Sequence, residues 1–350
     1  MTQQHQDSVV RRHGAIASFI LNRPKALNAL THEQVLDLTK ALQEWEADPD
    51  VVAVVIEGEG EKAFCAGGDI RALYHHIIAG DKEVVGDFFR EEYRLNRRIY
   101  TYSKPYISLL DGFVMGGGAG LAINGRYRVA TERTVFAMPE TAIGFYPDVG
   151  GTYFLSRLPG AVGTYLSLTG NRLRAADTYH TGLATHFVPS SELGALKEAL
   201  AEQRDAQGVE ATLAAFHRNP GPAPLQEKRA LIDHSFDKET LPEILAALET
   251  ATDPWAHEVL AVIRSRSPSA VVVAFDAAQR GRALSFDDCL RLEYRLSLQV
   301  AFGSDFVEGV RAVVIDKNSV PQWSPASIEA VPAATYALST IVPENGELTF

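Results

Sequence analysis

Apolar and polar positions alternate along the first half in a way that fixes its elements. "GAIASFILN" (14–22) is a β-branched apolar run and predicts a strand. "THEQVLDLTKALQEWEAD" (31–48) has helical period: Val35, Leu38, Leu42 and Trp45 form one stripe, and Thr31 with Gln34 makes a capping box. "VVAVVIEG" (51–58) is continuously apolar, which predicts a strand buried on both faces. "KPYISLLDG" (104–112) predicts another strand, and "YRVATERTVFAMPE" (127–140) two short ones. Between them lie two glycine-rich joints, "KAFCAGGDI" and "FVMGGGAGLAIN". Strands alternating with helices imply an α/β architecture.

Near residue 190 the period changes. "SELGALKEALAEQ", "LPEILAALETA", "WAHEVLAVIRSRS", "SAVVVAFDAAQRG" and "SFDDCLRLEYRLSLQVAFG" are all helical in spacing. Residues 201–350 therefore read as a mostly helical C-terminal region after a core at 1–200, with "NPGPAP" (Asn219–Pro224) as the linker candidate. The last stretch, "VPENGELTF", is expected to fray.

Composition narrows the class. With 350 residues, 46% hydrophobic and 22% charged, the chain is ordinary globular material. Its net charge of -11 argues against nucleic acid as a partner, so an anionic ligand needs local basic groups or backbone donors. No run approaches a membrane span, and the start lacks a signal-peptide core, so a cytoplasmic location is expected. Cys65 and Cys289 form no CxxC pair, and the ten histidines, His75 and His76 included, have no metal-ligand spacing; no metal is expected.

The familiar catalytic signatures are absent: no GxSxG elbow, no HExxH, no Walker A loop, no GxGxxG after a strand. Three segments remain. "FCAGGDI" and "MGGGAG" each join a strand to a helical run, and two such joints can aim two backbone N–H groups at one oxyanion. "MPETAIGFYPDVGG" (138–151) sets Glu140 and Asp148 among apolar and turn residues, a costly place for unused carboxylates. Pro147 and the pair Gly150–Gly151 are suited to a turn carrying Asp148 back toward Glu140. Each segment alone has a bland structural explanation, and Cys65 reads as a small buried hydrophobe rather than a nucleophile.

Together and in order, "RPKALNAL", "KAFCAGGDI", "GGGAG" and "MPETAIG" resemble the crotonase (enoyl-CoA hydratase/isomerase) superfamily. The resemblance implies an α/β fold, a crotonase-like ββα spiral core followed by the helical region. It implies that the Gly68 and Gly117 N–H groups polarise a thioester carbonyl. It carries coenzyme A contacts to Lys25, Ala26 and Leu27, with Ala66 near the adenine; Lys25 and Arg23 supply positive charge. Glu140 matches one of the two glutamates of hydratases, but the other falls at Gly120, which has no side chain. Longer blocks, among them "FFREEYRLN", "FAMPETAIGFYPDVGGTYFLSRLPG", "EYRLSLQ" and "PQWSP", resemble a hydrolase branch of the superfamily. That branch implies Asp148 as Glu140's partner and Glu92 near the acyl group, where it reads a hydroxyl.

The activity so implied is hydrolysis of a short β-hydroxyacyl-CoA thioester. The 3-hydroxyisobutyryl group of valine breakdown comes first and 3-hydroxypropionyl next. No cofactor is implied, coenzyme A being part of the substrate; a homo-oligomer is possible. Glu140 either attacks the carbonyl or serves as general base to water. Another crotonase reaction, isomerase or hydratase, and a silent acyl-CoA-binding protein are the alternatives.

Overall fold

The computed structural model describes residues 3–4, 7–317, 319–344 and 346–350. The chain divides into two compact units, each gathered from separated stretches. One comprises Met1–Gly68, Arg94–Phe136 and Arg172–Pro224; the other comprises Asp69–Tyr93, Ala137–Asn171 and Leu225–Phe350. One cut falls at the end of "NPGPAP", the linker candidate; the other cuts fall inside the first 200 residues. A single division at 200/201 follows composition, whereas the compact units interleave the chain.

The first unit is built on two sheets. The larger contains β1 (Gln3–Gln4), β2 (Ser8–His13), β3 (Ile16–Leu21), β4 (Ala53–Gly58), β6 (Tyr106–Leu110), β8 (Tyr127–Ala130) and β11 (His186–Phe187), side by side in that order. From β3 onward every pairing is parallel. That is why β3 and β6 are buried along their whole length, and β4 along its first four residues, as the unbroken apolar runs predict. The helix His32–Ala47 joins β3 to β4. Its capping box is formed as expected, and Val35, Leu38, Leu42 and Trp45 are buried. Ile16, Val55, Ile107 and Val129 form one core with Leu196, Leu200, Val209 and Leu213, which come from the helices Leu193–Ala201 and Ala206–Phe216.

The smaller sheet contains β5 (Ala63–Cys65), β7 (Phe113–Met115), β9 (Val135–Ala137) and β10 (Leu173–Arg174), ordered β10-β9-β7-β5. The start of "KAFCAGGDI", read as a loop, is thus a short strand, paired parallel with β7 across a register irregularity. Three residues are too few to show a period, so only the glycines were visible.

The second unit is helical. Here Phe145 stacks on Tyr146 and Phe89, with Phe306 tilted against it at 4.9 Å between centroids. This aromatic wall backs the helix Phe286–Val300 and the turn that carries Asp148. In the tail Leu348 is 1% exposed and Arg295 Nε donates to Glu347 at 2.7 Å, so these two residues are anchored, whereas Val342 and Phe350 are exposed; Asn345 lies outside the described residues.

Candidate active site

In the first unit the two glycine joints meet. A Cβ on Gly118 would lie 2.3 Å from the Cys65 carbonyl oxygen, so only glycine lets the helix Gly117–Ile123 approach the end of β5 this closely. A Cβ on Gly67 would lie 3.9 Å from the Gly117 nitrogen, which brings the loop after β5 to the start of that helix. Gly68 forms an isolated parallel bridge with Leu30. Among the described residues neither the Gly68 nor the Gly117 N–H donates to any acceptor.

The segment matched to coenzyme A lies beside the same loop. Pro24–Ala26 is a single 3-10 turn, leaving Lys25 and Ala26 exposed. Ala66 N–H donates to the Leu27 carbonyl at 3.0 Å, and Leu30 N–H to the Gly67 carbonyl at 2.8 Å. Asn28, fully buried at φ 57, fixes this geometry. Its amide donates to the Glu59 and Ala63 carbonyls at 3.0 and 2.8 Å, and its oxygen accepts the Arg23 N–H at 3.0 Å. Asparagine is among the few residues that tolerate the left-handed region. Lys25, Ala26, Leu27, Ala66, Gly68 and Gly117 are therefore gathered in one unit. Cys65 is fully buried, in keeping with a packing role.

The second unit gathers the acids. Glu140 opens the 3-10 turn Glu140–Ile143 and is 7% exposed, and its Oε2 has no hydrogen-bond partner. Burial, then the charge of Asp148, holds its carboxyl well above the usual range. Asp148 is 6% exposed; burial pushes it up to about 7, against the pull of Tyr93's hydroxyl and its own backbone N–H. Val149 at φ 53 and Gly150 at φ 89 follow it, and Gly151 N–H closes the turn on the Asp148 carbonyl at 2.7 Å. A β-branched residue at positive φ is strained, so this turn is held by its surroundings.

Two further acids complete the group. Glu92, on the helix Lys82–Tyr100, is 3% exposed, and burial followed by Asp148 and Glu293 raises it well above the usual range. Glu293, on the helix Phe286–Val300, is fully buried. Its carboxylate accepts the Gly150 N–H at 2.8 Å and the Thr152 N–H at 2.9 Å, which clamps the Asp148 turn. Burial, then Asp148, raises it to about 8. No cation figures among the groups that shift these four carboxyls. Groups that repel one another this way titrate as a set.

A line of hydroxyls leads away from Asp148. Tyr93 Oη lies 2.6 Å from Asp148 Oδ2 and 2.6 Å from Ser297 Oγ. Ser297 Oγ lies 2.9 Å from Tyr146 Oη, which donates to the Glu293 carbonyl at 2.6 Å. All three hydroxyl residues are fully buried. Sequence reasoning placed Glu92, Glu140 and Asp148 but missed Glu293, Tyr93, Tyr146 and Ser297. A weak signal existed: Glu293 and Ser297 are four apart, so they share one face of a helix otherwise rich in leucine.

Among the described residues no group of three or more histidines, cysteines or acids is placed to hold a metal ion, and no helix is long and apolar enough to cross a membrane.

Buried acids with unspent backbone donors on a mixed α/β scaffold are what the sequence motifs imply. A family model described as Enoyl-CoA hydratase/isomerase matches residues 16–338. The chain belongs to that family, the crotonase superfamily, and has its fold. A chicken (Gallus gallus) protein named 3-hydroxyisobutyryl-CoA hydrolase, mitochondrial, is 42% identical over 339 residues, 94% of this chain and 87% of that one. A solved structure titled a carnitinyl-CoA dehydratase from Mycobacterium thermoresistibile matches at TM-score 0.92 and 42% identity, covering 99% of each chain. Another, titled an enoyl-CoA hydratase from Rhodobacter sphaeroides 2.4.1, matches at 0.91 and 40%, covering 99% of this chain and 100% of that one.

Proposed function

We propose that this enzyme hydrolyses a short β-hydroxyacyl-CoA thioester, 3-hydroxyisobutyryl-CoA foremost, to the hydroxy acid and coenzyme A. The observation that carries the reading is Glu140: a buried carboxyl with one unpartnered oxygen, set beside a second raised acid, Asp148. The name of the 42%-identical hydrolase supports the same reaction.

The Gly68 and Gly117 N–H groups take the carbonyl oxygen and bind it more strongly as charge develops, which converts binding into rate. Lys25, Ala26, Leu27 and Ala66 hold the coenzyme A portion. Glu140 delivers the hydrolytic step, as nucleophile or as base to water. Glu92 reads the substrate hydroxyl, because a site that must bond a hydroxyl rejects analogues lacking one. Gly120 weighs against two-glutamate hydration, which the dehydratase and hydratase titles would otherwise favour. The two buried free thiols fit a reducing compartment, and we place the enzyme in the cytoplasm; the chicken relative's name says mitochondrial, and cell fractionation decides between them.

The test is thiol release from 3-hydroxyisobutyryl-, 3-hydroxypropionyl-, crotonyl- and acetyl-CoA by wild type and Glu140→Gln. Release confined to the hydroxyacyl thioesters, falling by about two decades or more in the variant, is expected. Hydration of crotonyl-CoA without thiol release would replace hydrolysis with the hydratase reaction.

A further inference from the structure

Beside the helix Phe286–Val300 lies a cavity of about 410 Å³, built wholly from the helical unit. Asp288, Arg291 and Arg295 reach it from that helix, Arg280 from the helix Pro268–Gly281, and Ser339 and Thr340 from the 3-10 segment Ala333–Thr340. Positions 288, 291 and 295 share one helix face. Glu293, which clamps the Asp148 turn, is two residues from each arginine and so about 200° round the axis. The cavity is therefore on the side of the helix turned away from Asp148. Among the described residues none of the four active-site acids lines it.

A carboxylate is already held at one point of this wall. Glu347 Oε2 accepts from Arg295 Nε at 2.7 Å and also from Nη2. The other two guanidiniums are barely used. Each has five N–H groups. Arg280 spends Nε on Asp276 at 2.7 Å, and Arg291 spends Nη1 on Asp288 at 2.7 Å. The remaining N–H groups of both have no acceptor among the described residues. The one acid in the wall, Asp288, has both oxygens occupied, by Arg291 and by Ser285 Oγ at 2.7 Å. Ser339 is 4% exposed, and its buried hydroxyl has no hydrogen-bond partner. Such a group costs free energy that a ligand oxygen would recover. Leu284 and Leu292 complete the lining with apolar surface. A few placed polar groups in an apolar hollow of this volume is the usual make-up of a small-molecule site.

We propose that this cavity is a second binding site, for a small organic carboxylate with a short aliphatic body. The carboxylate takes N–H groups of Arg280 and Arg291 and the Ser339 hydroxyl, and the body packs on Leu284 and Leu292. Asp276, Asp288 and Glu347 balance the three arginines, so recognition comes from directed donors rather than from net charge.

Calorimetric titration of the wild-type chain with isobutyrate, and with isobutyramide as its uncharged isostere, tests this without any variant. Isobutyrate should bind saturably, and the amide at least about tenfold more weakly, the worth of one charge-assisted hydrogen bond. Acetate, which keeps the head and loses the body, should bind several-fold more weakly. Arg280→Gln and Arg291→Gln, at partly exposed positions, should each raise Kd by about tenfold, and Ser339→Ala by a few-fold. Thiol release by these three variants should stay within about twofold of wild type. Isobutyrate held instead in the acyl pocket would ignore all three substitutions. No saturable isobutyrate binding, equal binding of the amide, or an affinity unchanged in both arginine variants would overturn the site, whatever the outcome of the hydrolase test.

Discussion

Asp148→Asn should make the protein more stable and nearly inactive, and the gain should depend on pH. Asparagine matches the carboxyl in shape without its charge, and its Oδ1 can accept the Tyr93 hydroxyl as Asp148 Oδ2 does. Burial raises Asp148 from 3.8 to about 7. The folded state then binds a proton more tightly than the unfolded state, so stability is full below the unfolded value and is lost as pH climbs toward 7. Three units at 1.36 kcal/mol each set a ceiling of about 4 kcal/mol on that loss. Glu92 and Glu293 share the repulsion, so about half, roughly 2 kcal/mol, is expected to separate the variant from wild type at pH 8. For a unit of this size that widens the gap in melting midpoint by about 4–8 °C, most of it gone by pH 4.5. Paired thermal melts at pH 4.5 and 8, with thiol release on the same samples, measure both effects. Turnover should fall by about two to four decades, the worth of a positioned acid. A variant less stable than wild type at pH 8, or a gap independent of pH, would refute the claim that Asp148 is a strained, proton-binding carboxyl.

Two further outcomes concern the first unit. Asn28→Ala removes three hydrogen bonds from a buried residue at φ 57, so it should cost about 2–4 kcal/mol by denaturant titration. KM for coenzyme A thioesters should rise with it, since the 25–27 turn loses its anchor. Lys25→Ala, at an exposed position, should leave stability within about 0.5 kcal/mol and raise KM several-fold at low salt; an effect that persists unchanged at high salt would rule out a charge contact.

Elements with a period were readable. The strands β3, β4 and β6 and the helix His32–Ala47 announce themselves because burial repeats along them, and the Thr31–Gln34 box marks the helix start. Strand β5 was not readable, because three residues between glycines carry no repeat and only pairing with β7 makes them a strand. The anchor within the tail was not readable either: the Arg295–Glu347 pair is made across fifty-two positions. The site divides the same way. Glycine joints and the "MPET" acid are local signals. Glu293, Tyr93, Tyr146 and Ser297 come from three separated segments, and each is an unremarkable polar residue until the fold sets it against Asp148. Their role is legible only in the hydrogen-bond geometry.

The crowding of four acids, with no cation among the described groups that shift them, has a consequence for turnover as well as for chemistry. In the reaction proposed above, hydrolysis makes a new carboxylate beside Glu140 and Asp148. At about 5 Å from one ionised neighbour, with an effective dielectric of about 20, it meets roughly 3 kcal/mol of repulsion that the uncharged thioester never felt. The substrate enters as a neutral acyl group and leaves as an anion beside carboxyls whose ionisation burial already disfavours, so any neighbour that does ionise favours the product's departure.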